Sequence, residues 1–433
     1  MKTDILKRII ISQQEEVEER FTRGNIIQRR VDHSKLLSYL REPNILAITG
    51  IRRCGKSVLS WQLLRKQKGV AYINFDDERL INFTSQDCDS LLEAFYELYG
   101  EFEYLILDEI QNIEGWELFA NRLRRTKKLI ITGSNSRLLS GELSTHLTGR
   151  YMDFTLMPFS FIEYCLYKGV SIQHDELYST QKIGLVKKNL EEYLKEGGFP
   201  EVYQLGREML LRIYSDIIEK DILQRKKIKK KTLFKDVSRY CIASSSQEFT
   251  FNRLKKIFSL NDVNTVKNWI SFLNDSFLIF MLERFSFKLK EQMLAPKKMY
   301  CVDTGLFQMI GFQLSNNKGY VLENAVALEL KRRKSYFDPF IEIYYWKDYN
   351  DNEVDFVLKK GKEVVQLIQV CYSIDELKTR EREFKALSVA KDELHCDDLL
   401  IITWDTEATE EYKDKKITIV PMWKWLLSLQ DLP

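Results

Sequence analysis

Short apolar runs alternate with amphipathic segments over the first third of the chain. The run Ile45–Thr49 is apolar almost throughout and is bounded by Pro43 and Gly50, which predicts a fully buried strand. The segment Ser57–Lys66 then carries apolar residues at helical spacing. Further strand-like runs are Val70–Phe75, Tyr104–Leu107, Leu129–Thr132 and Tyr151–Leu156, and the helical stretches are Ser90–Tyr99 and Trp116–Arg124. This alternation predicts an α/β domain with a parallel sheet covered on both faces.

The pattern changes after Pro158. Most of Phe159–Leu223 is predicted to be helical, and Glu248–Lys288 predicts a helix, a turn, a second helix and a short hairpin. A long helix from Val321 precedes three β runs, which are Glu342–Trp346, Glu353–Leu358 and Val364–Val370. We therefore expect three domains, which are 1–157 (with an N-terminal helical extension over about 1–40), 158–298 and 299–433.

The composition is that of a globular protein in a reducing compartment. Of 433 residues, 44% are hydrophobic and 30% are charged, and the net charge is +3. The seven cysteines are odd in number and contain no CxxC pair, which fits neither a disulfide framework nor a zinc ribbon. The longest apolar run, Phe277–Leu282, is far shorter than the roughly 20 residues of a membrane helix. We expect a cytoplasmic protein without a membrane partner.

A phosphate-binding loop follows the first predicted strand. The segment Gly50–Ser57 reads GIRRCGKS and fits the pattern G-x-x-x-x-G-K-[ST] between a buried strand and a helix. Glycines let such a loop bend so that its amides face phosphate oxygens, and the helix N-terminus adds partial positive charge. Lys56 is expected to reach the β- and γ-phosphates and Ser57 to hold Mg²⁺. The residues expected to contact nucleotide are Gly50, Ile51, Arg52, Arg53, Cys54, Gly55, Lys56, Ser57 and Val58.

Polar residues at the ends of two later strands complete this nucleotide site. The run Tyr104–Leu107 ends in Asp108 and Glu109, at the sheet edge where ligands of parallel sheets bind. We predict that Asp108 holds the Mg²⁺ shell and that Glu109 polarises an attacking water. On the strand Leu129–Thr132, Ser134 and Asn135 follow as candidates to sense the γ-phosphate. The structural alternative is a buried strand that simply ends in two solvated acids.

Arginines supply a further candidate group. Arg150 follows Gly149 just before a predicted strand, and an arginine that meets transition-state charge contributes several kcal/mol. It could act in its own chain or in a neighbouring subunit, and the alternative is a surface ion pair. Arg52 and Arg53 are interpreted as contacts to phosphate or to a neighbour, and Cys54 as a small packing residue.

These motifs resemble the AAA-type ATPases in which an archaeal–bacterial ATPase module precedes a C-terminal domain of unknown function. The matching pieces are Gly50–Ser57, Leu107–Gln111 with Trp116, Thr132–Ser134, Leu147–Arg150, Met157–Tyr164 and Gly197–Glu201. With the C-terminal features below, the similarity spans nearly the whole chain. The resemblance implies ATP binding, hydrolysis and a sheet of strand order 51432.

The middle of the chain is basic. Residues Glu201–Lys298 include 20 basic and 11 acidic residues, a net of +9, and six of the seven residues in Arg225–Lys231 are basic. The helix–turn–helix of this region, with Phe277–Leu282 and Arg284–Lys288 as a two-stranded wing, predicts a winged helix that binds duplex DNA. The alternatives are a protein-binding module and a solvated lysine face. The candidate DNA contacts are Lys226, Lys227, Lys229, Lys230, Lys231, Lys255, Lys256, Thr265, Lys267 and Asn268.

The C-terminal domain is similar to the PD-(D/E)xK nuclease fold but departs from its chemistry. Glu323 on a helix and Asp355 on a strand occupy two carboxylate positions of that motif. Gln369 stands where a second strand carboxylate is needed, and Cys371 stands where the lysine is needed. Because a neutral amide is a weak ligand for a hard cation, we predict that the domain keeps the shape for binding and does not cleave.

The functional prediction is a Mg-dependent ATPase that couples hydrolysis to DNA or partner binding. Two alternatives remain from the residues alone: an ATP-dependent binding switch with little turnover, and an ATP-gated nuclease. If Arg150 acts on a neighbouring subunit, the protein forms a dimer or a ring.

Overall fold

The structure, a computed structural model, describes residues 1–136, 147, 149–170, 179–311 and 318–428. Thr148 of the family motif and residues 171–178 of the predicted helical segment lie outside these ranges. The chain forms two compact units, Met1–Met157 and Pro158–Pro433. No helix in the described ranges is both long and apolar enough to cross a membrane.

The first unit is a parallel α/β sheet with helices around it. Its strands are β1 (Ile45–Thr49), β2 (Val70–Asn74), β3 (Tyr104–Asp108), β4 (Lys128–Gly133) and β5 (Tyr151–Thr155). Its helices are α1 (Thr3–Arg23), α2 (His33–Ser38), α3 (Lys56–Leu64), α4 (Cys88–Tyr99) and α5 (Trp116–Leu123), with 3-10 turns at Glu78–Leu80, Ser85–Asp87 and Ile110–Asn112. The strand order β2-β3-β4-β1-β5 with parallel pairing confirms the predicted 51432 sheet.

The N-terminal helix α1 lies along the edge strand β2. Its buried residues Leu6, Ile9, Ile10 and Gln13 follow a helical spacing and therefore form one face. The Gln13 side chain pairs with the β2 backbone, since its amide donates to the Asn74 carbonyl at 3.0 Å and its oxygen accepts from the Asn74 amide at 2.8 Å. The extension thus covers hydrogen-bonding groups that an edge strand otherwise exposes.

The second unit begins with helices and a small antiparallel sheet. The helices are α6 (Phe161–Tyr167), α7 (Thr180–Glu196), α8 (Pro200–Leu205), α9 (Met209–Asp216), a π-helical segment (Ile217–Leu223), α10 (Lys231–Ala243), α11 (Phe251–Ile257), α12 (Val263–Asp275), α13 (Leu289–Leu294) and α14 (Thr304–Ile310). The strands are β6 (Gln247–Phe249), β7 (Ile279–Glu283) and β8 (Lys297–Cys301), in the order β6-β8-β7.

The predicted wing differs from the observed hairpin. The expected second strand, Arg284–Lys288, is wrong, because β7 pairs with β8 instead. Arg284 forms a β-bridge with Tyr345, the Phe285 amide donates to the Tyr345 carbonyl at 2.6 Å, and the Phe285 ring packs on Tyr344. The segment after β7 therefore contacts the strand that contains Tyr344 and Tyr345, and does not form a hairpin with β7.

The rest of the unit is a six-stranded mixed sheet with helices. Its elements are α15 (Lys318–Tyr336), β9 (Ile341–Lys347), β10 (Glu353–Lys360), β11 (Glu363–Val370), α16 (Leu377–Leu394), β12 (Leu399–Thr403), β13 (Ala408–Tyr412), β14 (Lys415–Pro421) and α17 (Met422–Leu427). The strand order is β13-β14-β12-β11-β10-β9, with β11, β12 and β14 parallel. The division into three domains stays a prediction, although its boundary at residue 298 falls within β8.

Candidate nucleotide site

The loop between β1 and α3 has backbone angles that its glycines permit. Gly50 has a φ of +147°, and a Cβ there would lie 2.2 Å from the Leu156 carbonyl oxygen. Gly55 has a φ of +98° in the left-handed region just before α3, and Arg53 also has a positive φ of 68°. Since α3 begins at Lys56, the loop ends at a helix N-terminus that favours anions.

Lys56 and Glu109 form a nearly buried ion pair at this loop. The Lys56 ammonium lies 3.3 Å from Glu109 Oε1 and also 3.3 Å from the Ile51 carbonyl oxygen. Burial opposes charge on both groups, but their mutual attraction outweighs it, so the pKa of Lys56 is raised and that of Glu109 is lowered. The Gln111 side-chain amide donates to the other Glu109 oxygen. Both oxygens of the predicted base therefore have partners.

Asp108 is held by hydroxyl groups from three elements. The Thr132 hydroxyl on β4 donates to Oδ1, the Tyr72 hydroxyl on β2 donates to Oδ2 at 3.0 Å, and Ser57 forms a third hydrogen bond. The Thr132 oxygen also accepts from the Glu109 amide at 3.0 Å. Burial, and then the Glu109 charge, raise the pKa of Asp108.

The Ser57–Asp108 contact fits a magnesium site that is shared with a nucleotide. Mg²⁺ takes oxygen ligands, and in phosphate sites it is held by one or two protein groups plus phosphates and waters. Ser57 and Asp108 supply two such oxygens beside the loop. Within the described ranges, no group of three or more His, Cys, Asp or Glu side chains is arranged to hold a metal.

Most of the other predicted residues lie near the phosphate-binding loop. Gly133 at the end of β4 pairs with Thr49, the residue directly before the loop. Ser134 and Asn135 follow Gly133 and are buried, so they lie at the edge of the nucleotide site. Val58 lies in the first turn of α3, Arg52 pairs with Asp76 at 3.2 Å, and Cys54 is fully buried as predicted for a packing residue.

Arg150 lies at the opposite edge of the sheet. Its carbonyl accepts from the Ile45 amide at 3.1 Å, and Tyr151 pairs with Ile45 at the start of β1. Ile45 and Gly50 are five residues apart along this strand, a separation of roughly 16 Å at about 3.3 Å per residue. Its guanidinium donates to Asn121 at 3.4 Å. The contacts of Arg150 thus lie away from the loop of its own chain, and its role, in its own site or in a neighbouring subunit, stays a prediction.

Three residues in contact with this site were missed by sequence reasoning. Thr132 had a signal, since it places a hydroxyl at the end of an otherwise apolar strand. Tyr72 had none, because its role depends on the pairing of β2 with β3. Arg29 belongs to the N-terminal extension and donates to the Cys54 carbonyl at 2.8 Å.

The candidate DNA contacts lie on the surface of the second unit. Lys227, Lys229, Lys230, Lys231, Lys256, Lys267 and Asn268 are exposed, and Lys226, Lys255 and Thr265 are half-buried. The Lys226 ammonium lies 5.5 Å from the centre of the Phe272 ring on α12, and that of Lys267 lies 5.9 Å from the Phe251 ring. The basic tract thus borders the second helix of the predicted motif.

The predicted C-terminal cluster converges around an unexpected lysine. The Lys298 ammonium lies 2.9 Å from Glu323 Oε1, 2.9 Å from Asp355 Oδ1 and 2.7 Å from Glu353 Oε1. Lys298 is 2% exposed, so this ammonium occupies the space between the carboxylates. In this arrangement the Lys298 ammonium is the counter-ion of the surrounding carboxylates. The nuclease motif has a lysine where this chain has Cys371. In the structure, Lys298 on β8 brings an ammonium group to the carboxylates instead.

The two departures from the nuclease motif have structural partners. The Gln369 oxygen accepts from the Asp355 amide at 3.1 Å, and its amide donates to Glu383. Cys371 is buried, which raises the pKa of its thiol. Both side chains therefore serve packing and hydrogen bonding in the sheet.

The loop, the ion pair and the parallel sheet define a P-loop nucleotide-binding protein of the AAA type. Residues 42–165 match the AAA domain family, and residues 187–317 and 318–425 match two domains of unknown function. The chain is 34% identical over 410 residues to uncharacterized protein MJ1544 of Methanocaldococcus jannaschii, covering 89% of each. It belongs to this family of AAA proteins with C-terminal domains of unknown function.

Other similarities are more distant. An uncharacterized protein of Haemophilus influenzae is 30% identical over 369 residues, covering 81% of this chain and 88% of the relative. Among solved structures, the Walker-type ATPase PABY2304 of Pyrococcus abyssi aligns with a TM-score of 0.42 at 16% identity, over 66% of this chain and 97% of that one. AMPPCP-bound DnaA from Aquifex aeolicus aligns with a TM-score of 0.26 at 15% identity, over 58% and 90%.

Proposed function

We propose that this chain is a Mg-dependent ATP hydrolase that couples turnover to the binding of duplex DNA. The observation that best supports ATP hydrolysis is the ion pair between Lys56, at the end of the phosphate-binding loop, and Glu109. It places a cation and a base within one ion-pair distance of each other, beside a helix N-terminus. A triphosphate on the loop would be held by the amides and by Lys56.

In the proposed reaction, each group at the sheet edge has one task. Bound Mg²⁺ would offset phosphate charge, and Ser57 and Asp108 are the residues that would hold it. Phosphate competes with Glu109 for the Lys56 ammonium, which frees a Glu109 oxygen to orient a water for in-line attack. Ser134 and Asn135, which follow β4, would contact the γ-phosphate.

The DNA part of the proposal depends on the small sheet and the basic tract. The order of helices α10, α11 and α12 and the small sheet β6-β8-β7 support a winged helix, in which the second helix of the motif would enter the major groove. In the described part of the chain, no carboxylate is within 4 Å of the ammonium groups of Lys227, Lys229 or Lys230. Such uncompensated charge favours phosphate binding.

The test is ATP turnover by the full chain with and without duplex DNA, at several salt concentrations. We expect DNA to change the rate and salt to weaken the effect, since each phosphate contact adds about 0.9 to the salt slope. Neutralising Lys229 and Lys230 to Gln should flatten that slope. Lys188→Gln, at an exposed lysine of α7, is the matched control. No turnover, or an unchanged slope, would contradict the respective half of the proposal.

Two alternatives have distinct outcomes in the same assays. A binding switch would bind ATP but give equal, negligible phosphate release from wild type and Glu109→Gln. A nuclease gated by ATP would cut DNA in a metal-dependent manner. The neutral Gln369, whose amide donates to Glu383 at the position of a metal-binding carboxylate, favours the non-cleaving interpretation.

The proposal also includes a compartment and an assembly. All seven cysteines are free and buried, which suits a reducing cytoplasm. A contribution from Arg150 requires a second subunit, because the residue lies at the far edge of its own sheet. We therefore expect a dimer or a ring when nucleotide is bound, and size measurement with and without ATP tests this.

A further inference from the structure

Arg29 reaches the phosphate-binding loop from outside the AAA domain. It lies between α1 and α2, before the matched residues 42–165, and its side chain is only 3% exposed. Its Nη1 donates to the Cys54 carbonyl at 2.8 Å, and its Nη2 donates to the Met157 carbonyl at 2.7 Å. One guanidinium therefore joins the loop after β1 to the segment after β5.

The contact fixes the orientation of one peptide group in the loop. In a planar trans peptide, the carbonyl and the next amide point to opposite sides. Because the Cys54 carbonyl is held toward Arg29, the Gly55 amide points away from Arg29. Gly55 directly precedes α3, so this amide belongs to the group at the helix N-terminus that would meet phosphate.

The Arg29 segment is also fastened to α3 itself. The Gln62 side chain on α3 donates to the Ile27 carbonyl at 2.8 Å and accepts from the Arg29 amide at 3.1 Å. The backbone that carries the guanidinium is thereby held at a fixed distance from the helix whose first turn closes the loop. Such preorganisation lowers the cost of ordering a binding site.

We propose that Arg29 is a positioning residue of the nucleotide site, which sets the Cys54–Gly55 peptide so that its amide faces the triphosphate. The inference depends on the proposed ATP binding. It makes the N-terminal extension part of the site, since without it the loop carbonyl would have no guanidinium to hold it. Arg29 acts through the loop and touches no reacting atom.

The test compares Arg29→Ala, Arg29→Lys and Arg65→Ala in the full chain by equilibrium binding of Mg-ATP and by steady-state turnover. Arg65 directly follows α3, its guanidinium lies 5.0 Å from the centre of the Phe21 ring on α1, and it is the control for docking of the extension alone. We expect Arg29→Ala to raise Kd and KM about tenfold with little change in kcat. Guanidinium ion at about 20 mM, far below denaturing concentrations, should restore part of the affinity.

Each result decides the matter. Arg29→Lys keeps one hydrogen bond and should bind with intermediate affinity, and Arg65→Ala should bind like wild type. If Arg29→Ala does not fold, Arg29→Lys alone must show the intermediate Kd and its recovery by guanidinium. A wild-type Kd in either Arg29 variant, or an equal loss in Arg65→Ala, overturns the proposal. Failure of wild type to bind Mg-ATP would instead overturn the proposed function.

Discussion

Lys56 and Glu109 are each other's counter-ions, with 3.3 Å between the ammonium and the carboxylate oxygen. In the proposed function, an incoming triphosphate would compete with the Glu109 carboxylate for the Lys56 ammonium. Gln111 holds the second Glu109 oxygen, so the base is available only after a rearrangement at Lys56. In the proposed reaction, ATP binding and the activation of water are thus linked through this one ion pair.

The first prediction concerns Glu109→Gln. Loss of the base should lower ATP turnover by about 100- to 10,000-fold. Loss of the anionic partner of Lys56 should at the same time tighten ATP binding, because phosphate no longer competes with a carboxylate. Phosphate release and equilibrium binding, measured on the same preparation, test both effects. Unchanged turnover would remove Glu109 from the reaction.

The second prediction concerns Thr132, whose hydroxyl links Asp108 and the Glu109 amide. Thr132→Val keeps the shape but removes both hydrogen bonds. We expect turnover to fall by about 10- to 100-fold, the usual effect of losing a group that orients a metal ligand. Thr126→Val, at an exposed threonine of the same unit whose hydroxyl donates to the Leu123 carbonyl at 3.4 Å, is the control. Equal turnover in the two variants would count against the role of Thr132.

The third prediction tests whether Arg150 serves a neighbouring subunit. Arg150→Ala should lower turnover while the Kd for ATP stays constant, because the residue is distant from its own loop. A mixture of Arg150→Ala and Glu109→Gln chains should regain activity, since one chain supplies the base and the other the arginine. If the mixture shows no more ATP turnover than the separate variants, Arg150 does not act on a neighbouring subunit.

The nucleotide site could be predicted largely from local sequence, whereas its supporting residues could not. Gly50, Lys56, Asp108 and Glu109 lie where the strand–loop–helix pattern and the end of a parallel strand require. Arg29 was missed because its contacts with Cys54 and Met157 are distant along the chain. No periodicity or motif reports such contacts, which depend on the docking of the extension.

The C-terminal cluster shows the same limit more strongly. Glu323, Asp355, Gln369 and Cys371 were assigned from the order of a motif, and the lysine appeared to be missing. Lys298 fills the cluster from a strand that precedes the motif, so only the packing of β8 near β10 reveals it. The predicted wing is wrong for a related reason. Phe285 contacts Tyr344 and Tyr345 on β9, and these residues are distant from it along the chain.

The fourth prediction follows from the position of Lys298. Lys298→Met leaves Glu323 and Asp355 buried without their cation, and loss of one partner of a buried pair costs about 3–5 kcal/mol. Lys347→Met is the control, because Lys347 is 22% exposed and lies 3.4 Å from Glu353, and it should cost less than about 1 kcal/mol. Urea unfolding of the full chain measures both. Similar costs would mean that the ammonium is not the centre of the cluster.

The last prediction concerns the pH dependence of stability. Burial, and then the neighbouring Asp355 carboxylate, raise the pKa of Glu323 from 4.5 to about 8, although Lys298 opposes the shift. The folded state therefore binds a proton that the unfolded state releases, and this contribution to stability is complete below pH 4.5 and is lost as the pH rises through about 8. Unfolding free energies from urea titrations between these limits should fall more steeply for wild type than for Glu323→Gln. Glu411→Gln, at an exposed carboxyl of β13, should keep the wild-type slope; if Glu323→Gln keeps it too, the cluster does not bind the proton at Glu323.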